Sequence, residues 1–208
     1  TSLTRGVELT TMVGTLRVRK NRMDLSGTSG YGLTLTSFTG TPPDTGLVAN
    51  NFVSVRGGGS SLGLYLSTVG GLQVVHNSVL VSGGNTSSYG VYQTGGSGGT
   101  VHLQNNIFAN TVGGYALFVQ TPAAIGTMNR NGYYGEGTVY LAQWGGVACR
   151  LLSDLQAASG KEANGVVANP QFTSVTDLHA NSPWLDGAGQ ATAGVTVDID
   201  NQARSGSA

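Results

Sequence analysis

GGLQVVHNSVLVSGGNTSSYGVYQTGG, residues 70–96, is the stretch that decides the fold. It holds two short apolar strands, Leu72–Val81 and Gly90–Thr94, with Asn77 inside the first and a glycine-rich turn between them. Segments on either side repeat the pattern in the same order. Repeats of about 22–31 residues that carry strands and no helices are the signature of a β-solenoid, one rung per repeat.

Working outward, the Asn recurs in LRVRKNRMDL, GLVANNFVSV, LQVVHNSVLV, VHLQNNIFAN and IGTMNRNGYY as Asn21, Asn51, Asn77, Asn106 and Asn131. An apolar residue stands three before each one (Val18, Val48, Val74, Leu103, Met128) and another two after (Met23, Val53, Val79, Phe108, Tyr133). Strict alternation would put positions five apart on opposite faces of a strand. A bend at the Asn returns both to the inside, so the Asn marks a corner. Stacked inward amides can bond to one another in a ladder.

The second strand recurs as GVELTT, GLTLTS, GLYLST, GVYQTG, ALFVQT and TVYLAQ, each opened by a small residue. The inward pairs are Val7/Leu9, Leu33/Leu35, Leu64/Leu66, Val91/Gln93, Leu117/Val119 and Val139/Leu141, with Gln93 the one polar exception. Strands repeating in this order stack in parallel, with right-handed crossovers. Length variation falls in loops, notably Thr39–Thr45 with Pro42 and Pro43, and Gly83–Tyr89. The fold class is all-β: a right-handed parallel β-helix of about six rungs.

Composition agrees. Gly supplies 34 of 208 residues and Pro only 5, with the glycines at corners. Charged residues make up 10%, and ten basic side chains balance ten acidic ones. No global field therefore draws nucleic acid or an anionic membrane. The single Cys149 excludes a disulfide framework and, in the apolar segment GVACRLL, reads as a small buried hydrophobe. No apolar run reaches the ~18 residues of a membrane span. The abrupt polar start and the Ser-Gly-Ser-Ala end suggest an excised piece of a longer chain.

Rungs are expected over residues 1–144, with 145–208 forming a C-terminal cap and a return segment of the same domain. CRLLSDLQAASGKEANG reads as a short helix with Ser153 as N-cap, Gln156 closing a capping box and Gly160 past its end. The rest is rich in loops and covers an otherwise open solenoid end.

The Asn-marked rungs resemble right-handed parallel β-helix repeats of the pectate-lyase-like superfamily. The tail resembles the closing region of large secreted or surface β-helix proteins of bacteria, the Bacteroidetes type above all. The matching motifs are Asn169-Pro170-Gln171-Phe172, Asp177-Leu178-His179, Ser182-Pro183-Trp184-Leu185-Asp186-Gly187, and Asp198-Ile199-Asp200 to Arg204. The resemblance implies an extracellular or cell-surface bacterial setting. It does not choose among lyase, hydrolase, adhesin and spacer, which all use this fold.

Hydrolysis needs two carboxylates flanking the bond, and the rung acids Glu8, Asp24, Asp44 and Glu136 form no pair in one column. Arg17, Arg19, Lys20 and Arg22 lie near Asp24 without an acid cluster, which leaves a calcium-assisted lyase site incomplete. His76, His102 and His179 have no ligand spacing, so no metal site is expected. Calcium at Asp186, Asp198 and Asp200 is the one cation alternative, against simple loop-fixing hydrogen bonds.

The sharpest surface feature is the outward column Glu8, Thr34, Tyr65, Tyr92, Phe118, Tyr140, bordered by Thr10, Thr36, Ser67, Thr94, Gln120, Ala142. Aromatic faces beside hydroxyls and amides suit neutral sugar rings. The expected ligand-binding residues are Tyr65, Tyr92, Phe118, Tyr140, Thr36, Ser67, Thr94 and Gln120. The expected partner is a polysaccharide or glycan surface. A lyase or hydrolase completed partly outside this chain and a ligand-free spacer are the alternatives, the latter if the tail, with Trp184, covers the column.

Overall fold

A computed structural model describes residues 3–41, 45–136 and 140–204. The chain is a parallel β-solenoid of five complete turns, three strands to a turn. The first turn is β1 (Leu3–Val13), β2 (Arg17–Arg19) and β3 (Arg22–Leu25). The second is β4 (Ser29–Thr39), β5 (Gly46–Ala49) and β6 (Phe52–Val55); the third is β7 (Leu62–Gly70), β8 (Leu72–Val75) and β9 (Ser78–Val81). The fourth is β10 (Tyr89–Thr94), β11 (Val101–Gln104) and β12 (Ile107–Asn110), and the fifth is β13 (Tyr115–Val119), β14 (Ile125–Asn129) and β15 (Gly132–Gly135). Beyond them come β16 (Ala142–Trp144), β17 (Val147–Cys149), the helix α1 (Leu152–Ser159) and β18 (Val166–Val167).

Like strands stack into three sheets. The long one runs β1-β4-β7-β10-β13-β16-β17, and the others run β2-β5-β8-β11-β14 and β3-β6-β9-β12-β15-β18. The inward columns meet as the alternation requires. Leu33 pairs with Leu64 and Leu35 with Leu66; Val91 pairs with Leu64 and Leu117. Leu33, Leu35, Leu64, Leu66, Val91 and Leu117 are all at most 1% exposed. The inward Gln93 is buried too, with its amide donating to Gly95 O and its oxygen accepting from the Thr121 N–H.

The corner between the second and third sheets is the Asn ladder. Asn21 Nδ2 donates to Asn51 Oδ1 (2.8 Å), Asn51 to Asn77 (2.8 Å), Asn77 to Asn106 (2.9 Å) and Asn106 to Asn131 (3.0 Å). Each Asn Oδ1 beyond the first rung also accepts the backbone N–H of the Asn one rung earlier. The bend itself sits one residue before the Asn. Lys20, Asn50, His76, Asn105 and Arg130 all have φ between 56° and 58°, the left-handed region that makes a tight corner. Glu162 completes the ladder where the repeat stops. Its carboxylate accepts from Asn131 Nδ2, the Asn131 N–H and the Tyr133 hydroxyl.

The small residue opening each long strand has a steric cause. A Cβ on Gly63 would lie 2.2 Å from Val79 Cγ1 and 2.5 Å from Gly90 O. Gly63→Ala is therefore expected to cost about 1–3 kcal/mol of stability, the usual penalty for overpacking, read as a fall in the urea midpoint.

Three details differ from expectation. There are five full turns, not six, because after β16 the chain reverses. Gly145 (φ 56°) and Gly146 (φ 93°) form a tight turn, and β17 returns antiparallel on β16. That hairpin also fixes which residues pair with β13. Leu117, Phe118 and Val119 face Ala142, Gln143 and Trp144, three positions later than the alignment of ALFVQT with TVYLAQ. Val139 and Thr138 lie outside the described residues, as do Pro42 and Pro43. The helix begins earlier than Ser153: Leu151 precedes its first residue, and Asp154 Oδ2 accepts the N–H groups of Arg150 and Leu151 (2.9 Å each). Gln156 instead reaches Glu162 O (2.8 Å). Gly160 ends the helix at φ 65°.

From Leu185 the tail runs back along the outside of the Asn corner as a strap. Leu185 lies against Gly132, and Arg130 donates to Ala188 O (3.2 Å). Asn105 holds Gln190 and Thr192, and Asn50 Nδ2 donates to Val197 O (2.7 Å). Arg22 pairs with Asp200 (2.7 Å), and Lys20 donates to Asn201. Leu178 is buried beside Phe52, Leu80 and Ala109, and Val195 beside Ala49 and Val75. The strap thus crosses all five turns in reverse order. His179, in the segment before the strap, ties that segment to the strap's far end: Nδ1 is 2.5 Å from Asp177 Oδ1 and Nε2 is 2.6 Å from Asp200 Oδ2.

Candidate functional site

The outer face of the long sheet carries the aromatic residues. Register places Glu8, Thr34, Tyr65, Tyr92 and Phe118 in one column, with Thr10, Thr36, Ser67 and Thr94 in the next. Gln120 follows Phe118 by two positions and is exposed. Tyr140 does not belong to the column. Gln143 stands beside Phe118 instead, because the Gly145–Gly146 turn sets the register of the last strand. Tyr140 nevertheless joins the same surface by another route, its ring 6.3 Å from Tyr115 and 36% exposed.

A second row of aromatic residues, absent from the sequence reading, doubles the patch. Tyr31, Tyr89 and Tyr115 each directly precede the small residue that opens a long strand. Three positions from Tyr92, Tyr89 would lie on the other face of a regular strand. Its ring is instead 5.6 Å from Tyr92 and 4.7 Å from Phe118, so it joins the same surface. The repeated aromatic–small pair (Tyr31-Gly32, Tyr89-Gly90, Tyr115-Ala116) is the signal that could have found this row.

The rings form one connected surface. Tyr31 meets Tyr65 edge-on at 5.8 Å, and Tyr65 and Tyr92 lie nearly parallel, 5.4 Å apart at 28°. Phe118 stands perpendicular to Tyr92 at 5.1 Å and also touches Tyr115 at 5.5 Å. Parallel rings one rung apart turn their faces toward each other and their edges and hydroxyls outward. Such pairs contribute about 0.5–1.5 kcal/mol each beyond simple burial, so the patch has structural worth as well as surface chemistry.

Hydroxyls and amides border the rings. Tyr92 OH donates to Gln120 Oε1 (3.0 Å), and Thr94 Oγ1 donates to the same oxygen (2.7 Å). Burial, then neighbouring tyrosines, raise the phenol pKa of Tyr89 and Tyr92, which keeps both hydroxyls as neutral donors. Among the described residues, charge appears at the two ends, as the Arg5–Glu8 pair and as Arg150 over the Tyr140 ring at 6.0 Å.

Among the described residues, the tail leaves this face open. The strap lies along the Asn corner, and Trp184 is 75% exposed rather than laid over the column. Tyr31, Tyr65, Tyr89, Tyr92, Tyr115 and Phe118 are each partly accessible. Thr34 is the column member that is covered, at 2% exposure.

The remaining candidates sit apart. Asp24 makes a two-pronged pair with Arg56 (2.9 and 2.6 Å), and Glu8 pairs with Arg5. Asp44 lies outside the described residues. His102 Nδ1 accepts the Thr127 N–H, and His76 Nε2 lies 3.0 Å from Thr192 Oγ1. Cys149 is fully buried, and burial raises its thiol pKa. Asp198 Oδ1 accepts the N–H groups of Asp200 and Gln202, a loop-fixing arrangement, while Asp200 is spent on Arg22 and His179. Among the described residues no three His, Cys, Asp or Glu side chains are grouped as metal ligands.

Comparison of the chain with protein-family models, curated protein sequences and solved structures finds no match.

Proposed function

We propose that this chain is a non-catalytic module that binds a neutral polysaccharide, or a glycan-bearing surface, through the outer face of its long sheet. One observation carries the reading: Tyr31, Tyr65, Tyr89, Tyr92, Tyr115, Phe118 and Tyr140 form an unbroken chain of ring contacts across neighbouring turns, partly open to solvent. A contiguous aromatic patch of this kind calls for a partner. Sugar rings bring apolar C–H surface to the aromatics and hydroxyls to Gln120, Thr94, Ser67 and Thr36. The near absence of charge along the patch favours a neutral glycan. The tail motifs support an extracellular or cell-surface setting in bacteria, and the Asn-marked turns support kinship with the pectate-lyase-like β-helices. Pairing of Glu8 and Asp24 with arginines favours binding over carboxylate catalysis.

The test is pull-down on insoluble cellulose, xylan and mannan. Wild type is expected to be retained on at least one. Tyr92→Ala and Phe118→Ala are each expected to weaken retention about tenfold, in line with ring contacts of about 0.5–1.5 kcal/mol, with circular dichroism unchanged. Retention that is the same in both variants removes the site and favours the spacer.

A further inference from the structure

On the opposite side of the solenoid, the strap encloses a cavity of about 400 Å³ against the Asn corner. One wall is His76, Asn105 and Arg130; the other is Ala188, Gln190 and Arg204. That volume lies within the usual range for a small-molecule site.

Its charge is unusual for this chain. Its lining holds two guanidinium groups and one carboxylate, Asp198, whose Oδ1 is already taken by the backbone N–H groups of Asp200 and Gln202. His76 adds no charge at neutral pH, since burial pushes its pKa down to about 4. Two arginines less one aspartate leaves a net charge of +1. Each arginine is anchored by a single terminal nitrogen: Arg130 Nη1 donates to Ala188 O (3.2 Å), and Arg204 Nη2 to Asn50 Oδ1 (2.7 Å). The Nε of both is buried without an acceptor among the described residues. Guanidinium donors therefore outnumber acceptors in a partly buried place, where unmet donors are costly.

We propose that this cleft binds a small monocarboxylate, whose carboxylate is held by Arg130 and Arg204 while its apolar body rests on Ile107 and Leu185. The planar guanidinium fork matches a carboxylate in two-pronged fashion. A single net positive charge suits a monoanion better than a doubly charged phosphate or sulfate. The two aliphatic side chains give an apolar ring or chain something to pack on. This site is independent of the aromatic face.

Benzoate is a suitable probe, with benzamide as its neutral isostere and inorganic sulfate as the alternative anion. In the full chain at pH 7, benzoate is expected to shift the Arg130 and Arg204 Nε–Hε resonances saturably. Calorimetry is expected to show benzamide and sulfate binding at least tenfold more weakly. Arg130→Gln and Arg204→Gln are each expected to weaken benzoate about tenfold and to leave polysaccharide retention unchanged. Equal response to benzamide, tighter binding of sulfate, or no saturable shift at either arginine overturns the proposal. Should a glutamine variant fail to fold, the wild-type resonances still decide.

Discussion

Replacing Asn77 with alanine is expected to lower the unfolding free energy by about 3–5 kcal/mol, the sum of a few buried groups at about 1–3 kcal/mol each. Asn77 sits in the middle rung, 2% exposed. Its Oδ1 accepts both the N–H and the side-chain amide of Asn51, and its Nδ2 donates to Val48 O, Val75 O and Asn106 Oδ1. Alanine strips every one of these at once, and the closed interior offers no water in exchange. Asn77→Asp is expected to fare little better, since a carboxylate cannot donate to the three oxygens that surround Nδ2. Asn21→Ala, at the half-open end of the same ladder, is expected to cost only about 1 kcal/mol. Urea unfolding of the three variants checks the gradient from centre to end. Equal costs for Asn21 and Asn77 would contradict a stability that follows the number of buried ladder bonds at each Asn.

The second large effect is on acid stability. His76 occupies the left-handed corner position, and its imidazole is enclosed by the strap. Burial, then the charge of Arg204, lowers its pKa from 6.5 to about 4. Between those values the unfolded chain takes up a proton that the folded chain does not. Stability is therefore complete above about pH 6.5 and falls as pH drops toward 4, by a total on the order of 3 kcal/mol. Glu162 acts in the opposite sense: burial raises its carboxyl pKa, so its contribution is present in acid and fades as pH rises through the raised value. His76→Asn isolates the first effect. The equivalent corners already carry Asn50 and Asn105 at φ 57°, so the backbone accepts the change. The variant is expected to lose less stability than wild type between pH 7 and 4.5 in urea unfolding. An identical pH slope in the two proteins would refute the assignment.

The solenoid was legible because its signals are local and repeated. An apolar residue three before each Asn, another two after it, and strict alternation in the long strands define the core without reference to anything distant. The ladder was legible for the same reason, down to its five members. The last turn was not. TVYLAQ fits the alternation as well as the true strand does, and only the Gly145–Gly146 reversal selects Ala142–Trp144. Tyr31, Tyr89 and Tyr115 escape period-two counting because it assigns them to the wrong face, whereas their rings meet those of Tyr65, Tyr92 and Phe118. The strap's path was legible as a return segment but not in its contacts. Pairs such as Arg22 with Asp200, or Asn50 with Arg204, lie 178 and 154 residues apart and follow no repeat. The cleft they enclose was invisible in the sequence for that reason. Ser153 suits a helix cap by type, but Asp154 Oδ2 accepts the N–H groups of Arg150 and Leu151 instead.

The most direct test of the aromatic face as a binding surface is side-chain NMR of the intact chain titrated with soluble xylan and glucomannan fragments. The rings of Tyr65, Tyr92 and Phe118 are expected to shift together and saturably, while Leu178 and Val195 under the strap stay fixed. Binding that moves the strap residues and leaves those three rings unchanged would contradict the account.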